Sequence, residues 1–438
     1  MPPPVGARAG PGAARFRTCC HEMSAMEHAA AGAFRAIRPR PSDTGQNRPM
    51  VQENPGPRGR APAMPSAGRG GSVTMHDRRE AIAAGSRVSH DGSPRRAVLV
   101  VGGYGSVGSR ICRALGERGD LDVVVAGRNL IKAERLARSI GGRAVLIDLD
   151  DPRTWKQACH GIDWVVMCMD QEDLAFVAFL VAHGIHYADI TANDAFLRGV
   201  EGLAPWRSAA LVSLGLAPGL TNIMAAWCAA RLDRIERIDI GLLFGLGDRH
   251  GDAAIDWMAG QVFDKHRDRR VAPMDFGFGE GRRTLHAVDF SDQHSLGRTL
   301  PVDAAWTGVA FESPLATAAL FALGRVFAGS RLVRGVTTAL FKRLRFGSSL
   351  CNASVRVSGW SKGEPVALSV HFSGTEEALV TARLAALQIG EFLAGPVAPG
   401  LYHVHQALDA EAVLEAVVAR GIGEISFGPM ETRVQPAS

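Results

Sequence analysis

Hydrophobic and polar positions change their rhythm at residue 96. Residues 97–101 read Ala-Val-Leu-Val-Val without a polar break and end in glycines. Such a run marks a strand covered on both faces. Residues 106–118 then place Val107, Ile111 and Leu115 at helical spacing. The same alternation continues, with strand-like runs at 121–126, 144–147, 164–169, 186–190 and 209–214. Helical stretches at 130–140, 152–159 and 174–183 separate them. Strands and helices in this order predict an α/β fold, a doubly wound parallel sheet with right-handed crossovers.

After Gly219 the rhythm breaks. Residues 222–232 read as helix and 236–244 as strand, and the chain to about residue 350 reads as loops and helices. Residues 353–358 and 367–372 alternate like paired strands around a turn at Gly363; 375–393 and 410–419 are helical. The expected division is a dinucleotide-sized domain at 96–220, an α+β substrate or dimerisation domain at 221–395, and a segment 396–438 returning to the first domain. Residues 1–95 hold 12 of the 23 prolines and 12 glycines. That composition cannot offset its ordering entropy, so a disordered leader, or one read from too early a start, is expected. A transit peptide is the weaker reading, because proline and glycine spoil an amphipathic helix.

Charge excludes one large class. The net charge of +5 invites a nucleic-acid partner, but residues 1–95 carry 14 Arg, no Lys and 7 acids. The remaining chain has 35 bases against 37 acids, so the body lacks a basic footprint and no nucleic acid is expected. The seven cysteines form no CxxC and no zinc spacing, which predicts no metal and fits a reducing cytoplasm. No integral membrane segment is expected: the nearest apolar stretch, 313–329, is broken by Arg325. Arg331, Arg334, Lys342, Arg343 and Arg345 follow it, so peripheral contact of 311–346 with an anionic lipid surface stays open.

The candidate chemistry starts at Gly103-Tyr104-Gly105-Ser106-Val107-Gly108, a G-x-G-x-x-G run between a buried strand and a helix. In that context Gly103 allows the tight turn, Gly105 the approach of a pyrophosphate, and Gly108 close helix packing. This predicts a Rossmann domain. The second strand ends Ala126-Gly127-Arg128-Asn129 with no acid to hold a ribose 2′-hydroxyl. Arg128 can pair with a 2′-phosphate, which favours NADP over NAD. Short-chain dehydrogenase chemistry is excluded, because none of Tyr104, Tyr187 and Tyr402 has a lysine four residues on.

Four motifs, in order, resemble the saccharopine dehydrogenase (reductase) family: the glycine loop, Ala126-Gly127-Arg128, His186-Tyr187-Ala188-Asp189-Ile190-Thr191, and Gly215-Leu216-Ala217-Pro218-Gly219-Leu220-Thr221-Asn222. The likeness covers residues 96–230 well and the rest in outline, with 401–414, including His403 and His405, similar to the family's late return to the first domain. It implies an NADP-dependent oxidoreductase acting on CH-NH donors, reducing the C=N bond of an amino-acid or polyamine-type imine held between two domains. Residues 245–350 depart from the characterised members. Reduction of a C=C bond in a lipid precursor, and a non-catalytic membrane-peripheral NADP-binding protein, remain as alternatives.

Ligands of open parallel sheets sit beyond the carboxyl ends of the strands. Met169 there can border the nicotinamide ribose, and Asp148 and Asn129 the adenosine. Tyr187 and Asp189 fall on one strand face and are weak catalytic candidates, with a buried structural pair as the alternative. Thr191 and Asn193 lie just past that strand. Thr221 and Asn222 can cap a helix or hold a substrate carboxylate. A small-molecule substrate is expected, and a homodimer stays open.

Overall fold

The computed structural model describes residues 95–432 except 248–251, 344–345 and 396; the leader expected at 1–95 lies almost wholly outside them. The first sheet is seven-stranded and wholly parallel. Its strands are β1 (Arg96–Val101), β2 (Leu121–Gly127), β3 (Arg143–Leu146), β4 (Trp164–Met167), β5 (His186–Asp189), β6 (Ala209–Val212) and β13 (Gly400–His403), in the order β13-β6-β5-β4-β1-β2-β3. Central strands such as β1 and β4 are buried along nearly their whole length. That is why their sequences are continuous apolar runs and not alternations.

Helices α1 (Ser106–Gly116), α2 (Leu130–Ile140), α3 (Trp155–Ala158), α4 (Ala175–His183) and α5 (Asp194–Glu201) make the crossovers. α1 buries Gly108, Ile111, Cys112 and Leu115 on one stripe. The strand order reverses between β1 and β4, which places a ligand crevice at their carboxyl ends.

The second sheet is mixed, in the order β14-β12-β11-β7-β10-β9-β8. It consists of β7 (Arg234–Leu246), β8 (Val271–Asp275), β9 (Arg282–Val288), β10 (Ala304–Phe311), β11 (Phe346–Ser361), β12 (Glu364–Thr375) and β14 (Glu424–Phe427). The β11–β12 hairpin turns through Lys362 and Gly363, at φ 52° and 81°, the pair of positive values that a two-residue hairpin of the favoured twist requires. Its helices are α6 (Thr221–Ala229), α7 (Asp252–Phe263), α8 (Ser291–Thr299), α9 (Pro314–Val326), α10 (Arg331–Arg343), α11 (Glu377–Ala394), α12 (Val404–Ala407) and α13 (Ala410–Ala419).

Three expectations are corrected. The region read as loops and helices to residue 350 contains β8, β9 and β10. The closing segment divides: β13 joins the first sheet beside β6, whereas β14 joins the second beside β12. α11 belongs to both halves. It packs on α1, and its Gln388 side chain accepts from Gly215 N–H (2.8 Å) and donates to Gly215 C=O (3.1 Å).

Candidate active site

The glycine loop is fastened to β2, since the N–H groups of Gly102 and Gly103 both donate to Ala126 C=O (3.0 and 3.2 Å). A Cβ at Gly108 would stand 2.4 Å from the Gly102 oxygen, so α1 can start over the loop only with hydrogen there. Gly105 and Ser106 are exposed. No side chain caps α1, and its first turn carries no acid. Its first-turn N–H groups and the positive end of its dipole are therefore available to a pyrophosphate. The loop fits a dinucleotide.

At the end of β2 the Tyr104 ring covers Gly127, where a Cβ would meet it at 2.6 Å. Asn129 N–H donates to the Tyr104 hydroxyl (3.0 Å), and Asn129 Oδ1 caps α2 by accepting from Lys132 N–H (3.0 Å). Arg128 beside them is exposed and has no ion-pair partner among the described residues. Asp148 is occupied locally, its carboxylate accepting from Asp150 N–H at 3.2 Å.

A cavity of about 900 Å³ opens beside Gly105, Ser106 and Val107. It passes Cys168–Glu172 and Ile190–Asn193 at the ends of β4 and β5, then enters a chamber walled by Trp257, Met258, Phe263, Phe290, Phe311 and Phe341. Its charged lining residues are Asp170, Glu172 and Glu377, and no lysine or arginine among the described residues lines it.

Residues 98–212 match the saccharopine dehydrogenase NADP binding domain. The first domain belongs to that family. It is an NAD(P)-binding domain of oxidoreductases, which supports a nicotinamide dinucleotide at the glycine loop. The apo histidine-tagged saccharopine dehydrogenase (L-Glu forming) from Saccharomyces cerevisiae matches at TM-score 0.56 and 13% sequence identity, over 76% of this chain and 100% of its own. That likeness extends the shared fold into the second half. C. glutamicum DAP dehydrogenase in complex with DAP matches at TM-score 0.40 and 16% identity, over 74% of this chain and 99% of its own. GenD2 from gentamicin A biosynthesis in complex with NAD gives 0.38 and 15%, over 78% and 98%.

Within the saccharopine dehydrogenase-type domain, Met169, Thr191 and Asn193 line the cavity with Gly105, Ser106 and Val107. Asn193 Oδ1 also caps α5, accepting from Phe196 N–H (3.2 Å). The other candidates lie elsewhere. Tyr187 and Asp189 are buried behind the cavity wall, at 0% and 1% exposure. The Tyr187 hydroxyl donates to Asp189 Oδ2 (2.5 Å) and accepts from Gln171 Nε2 (2.8 Å), while Thr191 N–H donates to Asp189 Oδ1 (2.8 Å). Burial pushes the Asp189 carboxyl up to about 7 and the Tyr187 phenol well above its usual value. The pair is bonded to Gln171 and Thr191 and is not part of the cavity lining.

Thr221 and Asn222 are corrected in the same way, since both are fully buried. Thr221 Oγ1 donates to Asp292 Oδ2 (3.1 Å) and Asn222 Nδ2 to Ser295 Oγ (3.1 Å), while Asn222 Oδ1 accepts from Gly219 N–H (2.9 Å). Thr307 Oγ1 completes the network by donating to Asp292 Oδ1 (2.6 Å). A buried carboxylate needs such donors, and neither Thr221 nor Asn222 is part of the cavity lining.

Gln171, Glu172, Glu377 and Thr381 line the cavity without having been singled out. Gln171 and Glu172 carried a signal, because they directly follow β4. Gln171 Oε1 is buried with no hydrogen-bond partner among the described residues, an acceptor left open beside the cavity.

Proposed function

We propose that this chain is an NADPH-dependent reductase of a largely apolar small molecule, its target a C=C bond conjugated to a carbonyl in a lipid-like compound. The observation that carries this reading is the cavity lining. An amino-acid or 2-oxo-acid imine brings a carboxylate into the site, and a carboxylate held among aromatic walls needs a cation or several aimed donors. No lysine or arginine among the described residues lines the chamber. A cationic imine of an apolar or polyamine-type amine is the second reading, favoured by Asp170, Glu172 and Glu377 in the lining. When bound, the nicotinamide supplies the hydride. Gly105, Ser106 and Val107 would hold the pyrophosphate, and Met169, Thr191 and Asn193 would border the reacting end. The exposed Arg128, with no carboxylate at Ala126 or Gly127, supports NADP over NAD. NADPH oxidation followed with 2-enoyl lipids, with apolar amines plus aldehydes, and with 2-oxo acids plus amino acids tests the reading. Turnover of the enoyl lipids is expected. Turnover confined to the amino-acid pairs would overturn it.

A further inference from the structure

Helices α9 and α10 wall the cavity with Leu320, Thr337, Thr338 and Phe341, yet their opposite faces are apolar as well. On α9, Leu315, Ala319, Ala322 and Val326 recur at helical spacing, and Leu315 and Val326 are 80% and 73% exposed. On α10, Leu332, Val336 and Leu340 repeat every four residues and are 78%, 61% and 51% exposed. Among its described residues α10 buries just Thr337. An apolar stripe exposed along a helix that already has one face toward the interior is not suited to water, and exposed apolar surface of this kind marks a contact surface.

Charge selects the occupant. Residues 314–343 contain Arg325, Arg331, Arg334, Lys342 and Arg343 and no acid. Lys342 pairs with Asp256 (2.8 Å). The four arginines have no ion-pair partner among the described residues. A second copy meeting this face about a two-fold axis would set these arginines against their own counterparts. Residues 1–95, with 14 Arg against 7 acids, would add like charge. A pair of helices that carries exposed apolar stripes, unpaired guanidinium groups and no acid is complementary to the acyl boundary and phosphates of an anionic bilayer.

We propose that the α9–α10 pair seats this protein on an anionic lipid bilayer, with the chamber that the two helices wall lying on their other side. Flotation of the full chain with vesicles tests it, and because it needs no turnover, its outcome is separate from that of the reaction assay. The protein is expected to float with equimolar phosphatidylcholine–phosphatidylglycerol vesicles and to bind pure phosphatidylcholine at least about tenfold less. Leu332→Glu with Val336→Glu should abolish flotation while leaving the thermal transition in place, since both side chains are exposed. Arg331→Gln with Arg334→Gln and Arg343→Gln should weaken binding on the order of ten- to a hundredfold at low salt. The proposal falls if the wild type does not float with anionic vesicles, or if the glutamate variant floats as well as wild type. It falls equally if light scattering shows a dimer that the glutamate variant splits, because a second copy then covers the face.

Discussion

Asp189 offers a quantitative test of the buried pair behind the cavity. Its carboxyl is raised from 3.8 to about 7, chiefly because burial disfavours the ion, although Tyr187 O–H and Thr191 N–H partly stabilise the charge. A shift of this size corresponds to about 4 kcal/mol. Below the unfolded value both states hold the proton. Between 3.8 and about 7 the unfolded chain releases it while the folded chain keeps it, so stability is lost as pH rises through that window. Asp189→Asn removes the titration but keeps the side chain's shape and its acceptor for Thr191 N–H. Urea unfolding of wild type and variant from about pH 4 to about pH 8 should show the stability difference move toward the variant by about 4 kcal/mol. Comparing the two proteins at each pH cancels the histidines and other groups they share. A difference that stays flat across the range would mean that Asp189 is ionised in the folded protein and that the burial argument is wrong.

Arg128→Ala should weaken NADPH binding by about ten- to a hundredfold, the size of one charge-assisted phosphate contact. NADH affinity should barely change, and equal losses in calorimetry would remove the case for NADP. Gly108→Ala forces a Cβ against the Gly102 oxygen, which should cost about 1–3 kcal/mol and weaken both cofactors together; an unchanged melting temperature would contradict the tight fit. Thr221→Val leaves Asp292 one donor short and should lower stability by about 1–3 kcal/mol with KM intact. A raised KM at normal stability would return Thr221 to the substrate site. Ala259 lines the chamber, so Ala259→Trp should raise KM for an apolar substrate and leave NADPH titrations unchanged; a KM equal to wild type would place substrate elsewhere.

The first domain was legible because its physics is local. Buried parallel strands must be apolar throughout, and the Gly103–Gly108 loop has one geometry that lets α1 start over β1. The strands β8, β9 and β10 were harder to read. β10 carries Gly308, a weak strand former, made admissible by the Trp306 ring lying against it. β8 and β9 are separated by a glycine-rich turn around Gly277, Gly279 and Gly281; β8 holds a proline, Pro273, and β9 opens on Arg282 and Arg283. What makes them strands is the neighbouring backbone, which leaves no periodic trace in sequence. The candidate site divides on the same line. Thr191 and Met169 follow from their place at strand ends. Tyr187 and Asp189 share a strand face, as alternation requires, but which side of the wall that face meets depends on packing. The buried setting of Thr221 and Asn222 was not legible, because their partners Asp292 and Ser295 are distant in sequence and unremarkable in their own surroundings.

The pairing of β13 with β6 has a consequence for how this chain is made. Gly400 aligns with Ala209, so the strand that completes the nucleotide-binding sheet leaves the ribosome only after six of the seven strands of the second sheet have been synthesised. Until then β6, Ala-Ala-Leu-Val, presents a row of unpaired backbone groups on an apolar edge, the kind of template that recruits strands from other chains. Loop closure over so long an interval also slows the final step. A nascent chain stalled before Gly400 would carry a finished glycine loop on an unfinished sheet, and its fate would be set by whichever reached that edge first, its own C-terminus or a neighbour.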